Sequence, residues 1–162
     1  MIVHDTTAPY FNSFDIDYTM TISDWYHNQA PYLVNLYQTE PKGLAHGAEP
    51  TPDSTLIIDS QNVQFSIIPG KRYLFRIINM SGFASNIIKF GGHNMTVVEM
   101  DGVATVPTNT TKIRVAAAQR YAVIITALPS AAKNFAILSA IIPSMFSGDP
   151  MPSDSNMNVS QK

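Results

Sequence analysis

The residues best suited to metal and redox chemistry are four histidines: His4, His27, His46 and His93. No two of them have His-x-His spacing, and the chain contains no cysteine. A blue-copper site needs a thiolate and two imidazoles that converge on one ion. The sequence therefore predicts that this chain binds no copper, and the lack of cysteine also excludes disulfides, thiolate catalysis and zinc–cysteine sites.

Two arginines stand in stretches that otherwise alternate like buried β-strands. Arg76 lies between Phe75 and Ile77, and Arg120 opens a second apolar run. On a strand, each guanidinium points away from its neighbours and can clamp a carboxylate in a tight turn, notably Asp101. We expect Arg76, Asp101 and Arg120 to be structural anchors rather than catalytic groups.

Composition narrows the class of protein. The 162 residues are 45% hydrophobic and only 14% charged, with a net charge of −2. This suits one globular domain with a real core and argues against disorder. No basic face is available for nucleic acid, and no apolar run approaches the roughly 20 residues of a membrane span.

Four Asn-x-Ser/Thr triplets are candidate glycosylation sites, and such sites favour a secreted protein. They begin at Asn79, Asn94, Asn109 and Asn158. The N-terminus lacks the features of a signal peptide, so we expect any such signal to lie outside this chain.

Alternation with a period of two dominates the chain and predicts an all-β sandwich or barrel. Strands are expected around residues 18–26, 62–67, 73–77, 85–90, 94–100, 111–116, 120–127 and 134–140, with a short helix near 31–38. The stretch 143–162 is rich in Ser, Pro, Met and Asn, which predicts an extended tail.

Six sequence strings follow one another in a family-specific order. They are Val3-His4-Asp5, DWYH at 24–27, PDSTLI at 52–57, PGKRYLFRIINMS at 69–81, HNMTVVEMDG at 93–102 and AAQRYAVII at 117–125. Together they resemble the middle of the three cupredoxin-like domains in fungal multicopper oxidases, of the laccase and iron-transport ferroxidase type. The resemblance covers about 3–145 and implies a Greek-key β-sandwich of the plastocyanin type at 16–142, preceded by a linker-like segment at 1–15.

The resemblance also implies where the copper lies. In the family, the copper ligands come from the first and third domains, which would be the partners of this chain. The parent enzyme, at the extracellular face, couples one-electron oxidation of a substrate or of Fe(II) to reduction of O2 to water. The string at His27 is similar to a ligand string of the first domain but continues as Asn28-Gln29, so we expect His27, like His93, to be a structural anchor.

Two carboxylates match substrate-site positions of the family. Glu49 in Gly-Ala-Glu-Pro matches a glutamate that helps to hold ferrous iron in ferroxidases, and Asp53 matches the laccase carboxylate that accepts a proton or hydrogen bond from a phenol. Oxygen ligands suit a hard cation, and a carboxylate can take up the phenol proton. The acidic relay of ferroxidases is not matched at Ile142 or Ser147. Three roles for Glu49 and Asp53 stay open: they bind iron, they accept a proton or hydrogen bond from a phenol, or they are ordinary loop acids beside prolines.

A function of another class also stays open. The chain could be a stand-alone, extracellular, copper-free module that binds a ligand or self-associates into a homo-oligomer through exposed apolar surface. Flanking reading frames that encode His-x-His and His-Cys-His motifs would favour the oxidase domain instead.

Overall fold

The alternation of β3, Arg72–Asn79, explains how the layers form. Tyr73, Phe75 and Ile77 are fully buried between two sheets, whereas Leu74 and Arg76 lie on the opposite face. The computed structural model describes residues 4–39, 49–130, 134–146 and 158–161, the last stretch and residue 39 by main chain only.

The described elements are almost all strands. They are β1 Ile16–Trp25, α1 Ala30–Val34 with a π-helical turn at Asn35–Thr39, β2 Ser54–Ile57, β3 Arg72–Asn79, β4 Asn86–Phe90, β5 Met95–Met100, β6 Val103–Thr110, β7 Ile113–Val115, β8 Arg120–Thr126, β9 Ile137–Ile141, a 3-10 turn at Pro143–Met145, and β10 Asn158–Gln161. None of the helices in the described ranges is long and apolar enough to span a bilayer.

The strands form two facing sheets. One has six strands in the order β2-β1-β3-β8-β5-β6, and the other has four in the order β10-β9-β4-β7. Neighbouring strands are antiparallel except for β1 and β3, which run parallel. The main core lies between the sheets, as the alternation requires. This confirms the predicted all-β sandwich.

A second, smaller core covers the outer face of the six-stranded sheet. Tyr10 packs there against Leu74, Val98 and Ile124, with Phe14 partly buried beside them. The linker-like segment predicted at 1–15 therefore lies on the sheet from residue 8 onwards. At the other end of the chain, the segment predicted to be an extended tail contains strand β10. This strand lies beyond the predicted end of the domain at residue 142, and it pairs antiparallel with β9.

The strand predictions were wrong at residues 62–67, and they did not include β2, β6 or β10. Residues 62–67 form no strand: Phe65 instead packs edge-on against Tyr18 and Phe75. Strand β6 was not predicted, because its side chains are largely exposed and it contains Pro107. The predicted strands at 111–116 and 134–140 are shortened or shifted to β7 and β9.

Candidate functional site

The end of β1 and the start of β2 hold Asp53 in place. The two strands pair antiparallel with Trp25 opposite Ser54. The Asp53 N–H donates to the Trp25 carbonyl at 2.9 Å, and Asp53 Oδ2 accepts the N–H of His27 at 2.8 Å. Asp53 is exposed.

Tyr26 fixes the neighbouring segment. Its hydroxyl donates to the Pro50 carbonyl at 3.3 Å. Burial, reinforced by the negative charges of Asp24 and Asp53, raises the pKa of Tyr26 well above its usual range. The hydroxyl therefore stays protonated and remains a donor, and this bond positions the residue next to Glu49.

Glu49 carries an unusual oxygen. Its Oε2 atom is buried and has no hydrogen-bond partner among the described residues. An unpaired buried carboxylate oxygen is costly, and a cation or a donor would remove that cost. Glu49 therefore offers a ligand atom, beside a segment that Tyr26 and Asp53 tie to β1.

Asp24 is a positioning residue that the sequence did not reveal. Its carboxylate accepts the N–H of Gly82 at 3.0 Å and 3.2 Å, and that of Phe83 at 3.4 Å. It thus ties the loop after β3 to the end of β1. The only sequence signal was its place in the DWYH string, because the partners lie some sixty residues away.

The three described histidines belong to no cluster of possible metal ligands among the described residues. His4 and His27 are exposed, and the main-chain N–H of His27 donates to Asp53 Oδ2. His93 lies in the turn after β4, at the opposite end of the sandwich, and His46 lies outside the described residues. With no cysteine in the chain, this donor set does not fit a cupredoxin copper. In the described ranges, no three His, Asp or Glu side chains are grouped to hold a metal ion.

Arg120 and Asp101 meet at the turn between β5 and β6. Arg120 Nη1 lies 3.4 Å from Asp101 Oδ1, which also accepts the Arg120 N–H at 2.8 Å. The guanidinium donates to the Ala118 carbonyl at 3.1 Å. Asp101 and Ala118 both have a positive φ, of 49° and 65°, so this pair holds two tight turns together.

The prediction that Arg76 pairs with a carboxylate in a tight turn was wrong. Its Nε lies 3.7 Å from Asp17 Oδ2 on the adjacent strand β1. The Tyr10 hydroxyl donates to Glu99 on the same outer face. Burial, followed by the hydrogen bond and charge of Glu99, raises the pKa of Tyr10 to about 12. Arg76, Asp17, Tyr10 and Glu99 thus form one group of polar side chains on the outer face of the six-stranded sheet.

The sequons occupy contrasting environments. Asn79 is 1% exposed and its amide makes three hydrogen bonds, so in the folded chain it has no room for a glycan. Asn94 is exposed, as is Asn109, whose Oδ1 accepts the hydroxyl of Thr96 at 2.7 Å. The side chain of Asn158 lies outside the described residues.

Comparison with known proteins gives consistent matches. The family model described as multicopper oxidase matches residues 16–160. The iron transport multicopper oxidase fetC of Epichloe festucae is 38% identical over 98% of this chain and 25% of its own length. The iron transport multicopper oxidase FET3 of Saccharomyces cerevisiae is 32% identical over 98% of this chain and 24% of its own length. The chain therefore spans about a quarter of the curated relatives that it matches.

Solved structures agree. The crystal structure of Fet3p, described as a multicopper oxidase that functions in iron import, superposes with a TM-score of 0.86 at 32% identity, over 97% of this chain and 28% of that one. A laccase from Botrytis aclada shares the fold, with a TM-score of 0.75 at 21% identity, over 92% of this chain and 29% of the laccase. The chain belongs to the multicopper oxidase family.

Proposed function

We propose that this chain is a copper-free, middle domain of an iron-oxidising multicopper oxidase. It spaces the domains that hold the copper and supplies a carboxylate to the ferrous iron site. Two observations support this: relatives that match nearly the whole chain are named iron transport multicopper oxidases, and the chain covers about a quarter of their length.

The proposal rests on Glu49 Oε2, which is buried and has no hydrogen-bond partner in the part of the chain that the structure describes. Fe(II) is the substrate here, and a carboxylate oxygen is a suitable ligand for a hard divalent ion. An anionic ligand stabilises Fe(III) more than Fe(II), because its interaction grows with the charge of the ion. Glu49 would therefore bind the substrate and make its oxidation easier, while the electron acceptor lies outside this chain.

Asp53 has a supporting role in this proposal. One of its oxygens is already engaged by the main-chain N–H of His27, whereas Glu49 Oε2 has no such partner among the residues described. Asp53 and Tyr26 hold the 50–53 segment against β1, and this fixes the main chain from which Glu49 projects.

Exposed apolar side chains at the same end support the spacing role. Trp25 is 49% exposed, Met80 51% and Phe83 36%. Met80 and Phe83 are held beside β1 through the Ile22 carbonyl and the Asp24 carboxylate. Apolar side chains gathered at one end of a domain suit a contact with another domain. The exposed sequons at Asn94 and Asn109 fit an extracellular setting.

The test uses the full-length oxidase that contains this domain. Glu49→Gln removes the charge and keeps the shape, so we expect the KM for Fe(II) to rise by about tenfold or more, since hydrogen bonds and contacts to charged groups are worth roughly 1.5–3 kcal/mol. The KM for a bulky phenol should change less than about twofold. Asp59→Asn, an exposed acid at a positive φ that Asn tolerates, is the matched control. An equal rise for both substrates would refute the iron role.

A further inference from the structure

A cavity lies at the opposite end of the sandwich from Glu49, where β3 begins and β8 ends. Its volume is about 350 Å³, and both sheets contribute to its walls, through Tyr73 and Phe75 on one side and Phe90 and Ile137 on the other. An engineered cavity of roughly 150 Å³ is enough to bind benzene, and ligand pockets begin at roughly 300 Å³. The space is sufficient for a small two-ring molecule.

The walls favour an aromatic guest. Phe75 packs against Phe90 with ring centroids 4.8 Å apart, and against Phe65 at 5.2 Å in an edge-to-face arrangement. All three rings line the cavity. Rings in these geometries present both faces and edges, which are the surfaces that another ring prefers.

The lining also favours a neutral guest. Among the described lining residues there is no Asp, Glu, Lys or Arg. A charged ligand would lose its hydration without gaining an ion pair, at a large cost in free energy. The neutral polar side chains Gln64, Ser66 and Asn134 are exposed, so they lie where the cavity meets solvent.

His93 supplies one directional group. Its Nδ1 lies 2.7 Å from the Gly91 carbonyl. A carbonyl can only accept, so Nδ1 must carry the proton, and in the neutral ring Nε2 is then an acceptor. The ring lines the cavity and is held edge-on by Phe135, with centroids 4.8 Å apart. A ligand that donates a hydrogen bond complements it.

Gly91 lines the cavity, and its neighbour Gly92 packs against the lining residue Phe135. A Cβ on Gly91 would lie 2.9 Å from the Ala136 carbonyl oxygen, and a Cβ on Gly92, where φ is +69°, would lie 2.8 Å from Phe135 Cε1. Only glycine allows the turn after β4 to approach the chain before β9 so closely. This part of the wall is therefore in place before any ligand arrives, which lowers the cost of binding.

We propose that this cavity is a binding site for a small, neutral, aromatic molecule that carries one hydroxyl or N–H donor, which is received by His93. The site is separate from the carboxylates at the end of β1, and it holds whether or not Glu49 binds iron.

The test compares two matched probes on the 162-residue chain at a fixed pH. 2-Naphthol should bind at one saturable site, and about three- to tenfold more tightly than 2-methoxynaphthalene, which lacks the donor, because one neutral hydrogen bond separates them. Calorimetry or probe fluorescence gives both dissociation constants. Absence of saturation, or equal affinity for the two probes, would overturn the proposal.

Two variants locate the site. Ala136→Trp, at an exposed rim position, should weaken binding of both probes by about tenfold or more, as overpacking a cavity does. Ala104→Trp places the same side chain at an exposed position on β6, far from the cavity, and should change neither constant. His93→Phe should abolish the preference for 2-naphthol while both probes still bind. Unchanged binding in Ala136→Trp, or equal loss in both tryptophan variants, would place the probes elsewhere.

Discussion

Replacement of Asn79 by alanine should be among the most damaging single changes in the chain. The side chain is 1% exposed at the end of β3. Its Nδ2 donates to the carbonyls of Ala84 and Val115, both at 2.9 Å, and its Oδ1 accepts the N–H of Ser81 at 2.9 Å. Because Val115 belongs to the four-stranded sheet, this one amide connects the two sheets and the loop between them.

The magnitude follows from the groups left behind. Alanine would strand one main-chain N–H and two carbonyls, and a buried polar group without a partner costs about 1–3 kcal/mol. Water entering the vacated space recovers part of that cost, so we expect a loss of about 3–5 kcal/mol in the free energy of unfolding. That is a large share of the roughly 5–15 kcal/mol available to a domain.

Urea unfolding of Asn79→Ala beside Asn94→Ala measures this loss. Both residues begin a sequon, but Asn94 is exposed and its replacement should cost less than about 0.5 kcal/mol. The comparison therefore separates burial from residue type. A loss below about 1 kcal/mol in Asn79→Ala would refute the role assigned to its hydrogen bonds.

Three further changes have expected outcomes. Gly92→Ala should lower the free energy of unfolding by about 1–3 kcal/mol, because its φ is +69° and the new methyl would meet Phe135; an unchanged urea midpoint would contradict this. Asp101→Asn removes the half-exposed ion pair with Arg120, so it should lower the free energy of unfolding by at most about 1 kcal/mol, and by less in high salt; a loss that does not depend on salt would contradict this. Tyr10 has a pKa of about 12, above its ordinary value of 10.0, so the unfolded chain loses that proton first and stability should fall as pH rises from about 10 to about 12. In Tyr10→Phe that part of the fall should disappear, as alkaline unfolding curves can show.

The sequence predicted strands well where one side chain in two faces the core. Tyr73, Phe75 and Ile77 alternate in β3 and are all buried between the sheets. The same alternation wrongly predicted a strand at 62–67. Phe65 lies in an irregular segment there and packs against the open end of the core. The Ser66 carbonyl accepts the Tyr18 hydroxyl instead of the N–H of a neighbouring strand. Periodicity reports which side chains are buried, and not which main-chain groups pair.

The contact partners of individual side chains were hard to predict from the sequence. Arg76 was expected to meet a carboxylate in a turn, but the parallel pairing of β1 with β3 puts Asp17 within reach. The contacts of Asp24 with Gly82, and of Tyr26 with Pro50, likewise join residues that are distant in sequence. The register between strands decides such contacts, and one chain read alone carries no direct record of register.

This chain has the fold of the multicopper oxidase family but lacks the cysteine that a blue-copper site needs. The most direct test is elemental analysis of the purified 162-residue chain after incubation with copper and exhaustive dialysis. We expect copper far below one ion per chain and no blue absorbance band, because the chain has no thiolate and His27 and His93 lie at opposite ends of the sandwich. One tightly held copper per chain with a blue band would contradict the account.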